Sequence, residues 1–150
     1  MSKLLIGRAD EIDLPELGLE GIAAKVDTGA YTSSIHCSEV KLLEHDGRPV
    51  LSFHILDEDH ADLAQREFRT EAFDRKQVRN SFGHVEERFA IRTQLYIFGQ
   101  TFPTVFTLSN RADMRYPVLL GRKFLNGRFV VDPVKKNIWR KLRRQQENGA

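Results

Sequence analysis

Asp27, Thr28, Gly29 and Ala30 follow directly on Val26, and their types and spacing point to a specific chemistry. A carboxylate is costly to hold beside apolar backbone unless something compensates it. Here the acid stands on what reads as a tight turn. Gly29 permits backbone angles and close approaches that a side chain would forbid, and the Thr28 hydroxyl can bond neighbouring backbone. A rigidly held carboxylate suits an aspartic-type hydrolase, in which two carboxyl groups share a proton and activate a water between them. Asp, Thr and Gly are also ordinary components of a strand-to-strand turn. The tetrapeptide alone leaves both readings open.

The elements that must position Asp27 read as short strands separated by turns. Ile22, Ala24 and Val26 alternate with Ala23 and Lys25, giving a strand over 21–26 with one buried face. Leu4 to Arg8 reads as an earlier strand, and Asp10 to Gly18 as a loop containing Pro15. Ser33, Ile35 and Cys37 begin a strand that runs towards Leu43, and His45-Asp46-Gly47-Arg48 turns it into Val50–Leu56, with Leu51, Phe53 and Ile55 inward and Ser52 and His54 outward. Asp57 to Asp62 is acidic and loop-like. Beyond it, a loop followed by a strand is preferred over a helix up to Phe73.

Asn80, Ser81, Phe82 and Gly83 form the tip of a hairpin. Phe89, Ile91, Thr93, Leu95 and Ile97 share one strand face, and Gly99-Gln100 turns into Phe102–Leu108. Pro117 to Gly121 is wholly apolar and predicts a strand buried on both faces. Arg122 to Asn126 predicts one helical turn ended by Gly127. Phe129–Asp132 and Asn137–Arg140 close the chain as a last hairpin. The expected fold is a single mostly-β domain over 1–150, a small closed barrel with one short helix near the C-terminus.

Composition narrows the partners. The chain has 150 residues, 41% hydrophobic and 29% charged, with a formal charge of +2, too small to argue for nucleic acid or a membrane surface. Lys135, Lys136, Arg140, Lys141, Arg143 and Arg144 read as a solvated tail. Cys37 is the single cysteine, so no intrachain disulfide forms and a cytoplasmic setting fits best. Met1 to Gly7 is too brief for a signal peptide, and no apolar run has membrane-spanning length. No His-Glu-x-x-His or Gly-rich phosphate loop is present, so no metal or cofactor is expected. His54, Asp57 and His60, and the pair His36–Cys37, are the nearest approach to a ligand or nucleophile set. They read as exposed histidines and a small buried thiol.

The Asp27–Ala30 turn, followed late in the chain by Leu119-Leu120-Gly121-Arg122 and a short helix, resembles the paired signature of retropepsin-like aspartic proteases. More narrowly, the chain resembles a bacterial family described both as retropepsin-like endopeptidases and as ATP-dependent zinc proteases. The motifs are Lys25–Ala30, Asp74–Gly83, Asn110-Arg111 with Met114, and Gly127–Pro133. Tyr31 departs from the family pattern, which usually has arginine there.

The resemblance implies a peptide or protein substrate, Asp27 as the catalytic group, Thr28 locking paired turns together, and Gly29 and Ala30 against the substrate backbone. Only one Asp-Thr-Gly occurs, so the second carboxylate must come from a second copy in a homodimer. Asn80–Gly83 is then a candidate flap, with a plain surface hairpin as the competing reading. The family's association with an ATP-grasp ligase that adds glutamates to a ribosomal protein implies that ligase as a partner. It also supplies an alternative function, a non-catalytic adaptor acting on the ligase. A zinc-dependent protease is the weaker third reading.

Overall fold

The computed structural model describes residues 2–79, 81–110 and 115–149. Its strands are β1 (Leu4–Ile6), β2 (Ala9–Leu14), β3 (Leu19–Val26), β4 (Ser33–His45), β5 (Arg48–Ile55), β6 (Phe68–Thr70), β7 (Phe73–Arg79), β8 (Val85–Ile97), β9 (Gln100–Ser109), β10 (Val118–Leu120) and β11 (Phe129–Val131). Two α-helices accompany them, α1 (Arg122–Leu125) and α2 (Ile138–Asn148), together with short 3-10 segments at Pro15–Leu17 and Glu58–Gln65.

Six strands close into a barrel in the order β10, β3, β2, β8, β9, β4, and the second pairing of β10, with β4, completes the ring. Closure gives each of those strands a neighbour on both sides. Ile12, Ile22, Ala24, Ile35, Ile91, Leu95, Phe106, Val118 and Leu120 fill the interior, each at most 2% exposed. The β4–β5 hairpin extends beyond the barrel and carries β6, and β7 pairs with β8 as a second arm. The mostly-β barrel expected from the turn spacing is the observed fold.

Several elements differ from expectation, for tertiary reasons. Asp10–Gly18 is no loop: 9–14 is strand β2, and the buried acids Asp10 and Asp13 hide its apolar alternation. Ser52, expected to face water, is buried, with β6 paired alongside it. The turn between β8 and β9 is Phe98-Gly99 rather than Gly99-Gln100, both residues having positive φ (53° and 72°). That is the twist a two-residue hairpin needs. Phe129–Val131 pairs in parallel with β1, and Asn137–Arg140, expected as its hairpin partner, instead opens α2.

The basic C-terminal segment is a docked helix, not a solvated tail. Asp10, 2% exposed, accepts the first free N–H groups of α2, Trp139 N at 2.8 Å and Arg140 N at 3.0 Å. This supplies from another strand the cap that Asn137 does not provide through its own side chain. One turn on, Arg143 clamps Asp13 with two bonds of 3.0 and 2.6 Å, a bidentate pairing. Trp139 packs edge-on against Tyr96 at 6.0 Å.

Burial pushes the Asp10 carboxyl up, opposed by the N–H groups of Trp139, Glu11 and Arg140. Folding therefore tightens its hold on the proton. Its contribution to stability is full in acid and falls as pH rises through the raised value. Asp10→Ala strips the carboxylate from the N–H donors of Glu11, Trp139 and Arg140 and is expected to cost about 1–3 kcal/mol. Thermal unfolding should show this as a Tm lower by several degrees. An unchanged Tm would show that α2 is held by apolar packing alone.

Candidate active site

Asp27 is half-buried at the point where β3 leaves the barrel. Its position follows from β10, which inserts between β3 and β4, parallel to the first and antiparallel to the second. The Asp27 N–H donates to the Leu120 carbonyl at 2.9 Å, and Asp27 Oδ1 accepts the Gly29 N–H at 3.0 Å. The carboxylate thus closes its own Asx turn. Among the described residues Gly29 is its one hydrogen-bond partner, and no cation pairs with it.

The loop is held from behind by the start of α1. Arg122 N donates to Ala30 O and Lys123 N to Tyr31 O, both at 2.8 Å. The Arg122 guanidinium donates to Thr28 O at 3.0 Å and lies 5.8 Å from the centre of the Tyr31 ring. Thr28 is exposed, and its carbonyl is the atom that Arg122 holds. Gly121 lets the two segments meet: a Cβ there would sit 2.6 Å from Thr32 O and 2.7 Å from Tyr31 O. Its N–H donates to Ser33 Oγ at 3.0 Å.

Gly29 is exposed, and its backbone lies outside the left-handed region, so local conformation does not require glycine. Its nearest non-adjacent atom is Asp27 Oδ1, 3.3 Å from where a Cβ would stand. Arg122 stands in the Leu-Leu-Gly-Arg motif, which by itself assigns it no role. The conjunction of Gly and Arg directly before a helical turn was the available signal. Nothing in the sequence marks Ser33 as a brace.

Ser81, Phe82 and Gly83 lie at the turn joining β7 and β8, with Gly83 at φ 81° and Phe82 85% exposed. Asn80 lies outside the described residues, as do Arg111 and Met114. Behind the tip, Glu86–Phe89 of β8 face Thr32, Val40 and Thr107–Asn110 across a cavity of about 650 Å³. The cavity reaches from Thr32, at the end of the Asp27 loop, to the outer part of the β7–β8 arm. The arm, rather than the tip, walls it.

The residues nearest to a zinc set are engaged otherwise. Asp57 caps the 3-10 segment, accepting Asp59 N at 3.0 Å, and lies 2.8 Å from His60 Nδ1. His54 is not simply exposed: Nδ1 is 2.9 Å from Ala64 O and Nε2 is 3.2 Å from Glu39 Oε2. Among the described residues no three His, Cys, Asp or Glu side chains gather as a metal site, so this donor set does not fit the zinc that the resemblance suggests. Cys37 is buried, and burial pushes its thiol up, the opposite of what a nucleophile needs. Among the described residues no helix is long and apolar enough to cross a membrane.

Comparison with known proteins agrees with this architecture. Residues 5–142 match the RimB-like family model, described as retropepsin-like aspartic endopeptidase RimB. A probable alpha-L-glutamate ligase of Parasynechococcus marenigrum (strain WH8102) is 38% identical over 87% of this chain. One of Desulfotalea psychrophila is 36% identical over 89%. The chain spans only 28% and 29% of the lengths of these curated relatives. A crystal structure of a Legionella pneumophila protein of unknown function superposes with a TM-score of 0.70 at 23% identity, covering 91% of this chain and 98% of that one. It shares the fold. The chain belongs to the RimB-like family of retropepsin-like proteins.

Proposed function

We propose that the chain is an aspartic-type endopeptidase that works as a homodimer, with the Asp27 carboxylates of two copies forming one catalytic pair. The observation that carries this reading is the Asp27 loop itself. Among the described residues its carboxylate has one hydrogen bond and no cation partner, yet the loop is pinned by its bond to Leu120 and by those from Arg122 and Lys123. Gly29 is exposed, and with no side chain beside Asp27 Oδ1 it suits the close approach of a second backbone, from substrate or from a facing loop.

In the proposed mechanism one Asp27 is ionised and the other protonated, because two like charges about 3 Å apart cannot both ionise comfortably. The ionised carboxylate takes a proton from the bound water as its oxygen attacks the peptide carbonyl carbon. The protonated partner donates to the scissile nitrogen, the C–N bond breaks, and the dyad is left with one proton to share. Leu119, Leu120 and Gly121 act as scaffold. The β7–β8 arm closes over the substrate, with Ser81–Gly83 at its tip as flap. The setting is cytoplasmic, and the substrate a peptide or protein.

A second reading comes from the relatives named as ligases, in which the matching region is under a third of the chain. It makes this protein a non-catalytic module acting on a glutamate ligase. Cleavage of a labelled, unstructured polypeptide across about pH 4–8 separates the two. The peptidase reading predicts a bell-shaped profile, since one carboxyl group must be ionised and the other protonated, unaffected by a chelator. Activity lost to chelator and restored by zinc would contradict it, as would no cleavage at any pH.

A further inference from the structure

The loop 132–136 and α2 frame a groove of about 660 Å³ beside Arg8. Two apolar side chains at this groove face water, Val134 at 84% exposure and Leu142 at 42%. The loop that presents Val134 is firmly bonded. Val134 N donates to Asp132 Oδ1 and Lys135 N to Asp132 O, both at 3.1 Å. Arg8 N donates to Lys135 O at 2.8 Å, and the Arg8 guanidinium to Val134 O at 3.0 Å. Gly7 lies so close that a Cβ would stand 2.3 Å from Lys135 O. Val134 is thus held out in solvent by a built framework. On α2, Ile138 and Leu142 stand one turn apart and continue the apolar strip.

The rim of the groove is cationic. Arg8, Lys135, Lys136 and Lys141 are exposed around it, and among the described residues no carboxylate lines it. A two-fold copy of this chain docked here would set those charges against their own equivalents, which like-charge repulsion disfavours. We propose that this groove is a docking surface for an acidic, amphipathic helix of a partner protein, its apolar face on Val134, Ile138 and Leu142 and its carboxylates on the basic rim. Arg8 O accepts the Val26 N–H at 2.9 Å, so the occupant touches a residue bonded directly to the strand that ends in Asp27. The proposal does not depend on the peptidase reading.

The test uses a fluorescein-labelled helical peptide of about 18 residues, with leucines along one face and glutamates flanking them, beside a control carrying lysine for glutamate. Fluorescence anisotropy with the intact protein should show saturable binding of the acidic peptide, with Kd of about 1–100 μM, weakened by salt. Val134→Asp and Lys136→Glu, both at exposed positions, should each weaken binding by at least about fivefold while circular dichroism stays unchanged. Equal binding of the lysine control, wild-type binding by both variants, or no saturation at 1 mM peptide, roughly the weakest affinity worth the name, would overturn the proposal. Two further outcomes would do the same. One is sedimentation with phosphatidylserine vesicles through these residues without peptide binding, and the other is a dimer that Val134→Asp dissociates.

Discussion

Asp27→Asn is expected to reduce peptide cleavage by at least about 1,000-fold while leaving the fold in place. The amide oxygen can still accept the Gly29 N–H that Asp27 Oδ1 accepts at 3.0 Å, and the Asp27 N–H bond to Leu120 is backbone. Stability should therefore change by no more than about 0.5 kcal/mol. What disappears is proton chemistry: an amide at this pH neither takes the proton of the attacking water nor gives one to the leaving nitrogen. Initial rates and thermal unfolding of the same preparation check both halves. Cleavage within about tenfold of the wild-type rate, in a folded variant, would move the catalytic group elsewhere.

Gly121→Ala should be the most damaging single-methyl change at the site. The added carbon would meet the backbone of Thr32 and Tyr31 at 2.6–2.8 Å, distances that no rotamer change relieves. Overpacking of this kind costs about 1–3 kcal/mol, and the strain can only be released by moving apart the two segments that position Asp27. Those segments are joined through Ala30 O, Tyr31 O and Ser33 Oγ. A displacement of about 1 Å at such a loop is worth about 100-fold in rate, so activity should fall further than stability predicts. Gly29→Ala differs in kind: its Cβ would press on the Asp27 carboxylate itself, at 3.3 Å from Oδ1, so it should lower activity with little loss of Tm. A Gly121→Ala protein with wild-type activity and Tm would contradict the packing described here.

The barrel was legible in the sequence wherever one strand face meets the core and the other meets water. The alternation along 89–97 and the turn at 45–48 mark β4, β5 and most of β8. β2 was not legible, because Asp10 and Asp13 look like loop residues until the helix they receive is seen. The same cause hid α2. Its basic residues suggest a free tail, and the partners that fix them lie some 130 positions away in sequence. At the site, Asp27 and the Leu-Leu-Gly-Arg strand stood out, since each needs an unusual residue in a fixed place. The bracing by Arg122 and Ser33 did not, because it runs through carbonyl groups and a hydroxyl that any sequence could supply.

The central claim is that one active site needs two Asp27 carboxylates, and mixing wild-type chain with Asp27→Asn chain tests it most directly. Subunits are exchanged at fixed total concentration, cleavage is measured, and sedimentation confirms that the mixture is dimeric. If both carboxylates are required, mixed dimers are inactive and the rate follows the square of the wild-type fraction, about one quarter of the full rate at an equal mixture. A rate that falls linearly, or a protein that cleaves as a monomer, would contradict the paired site.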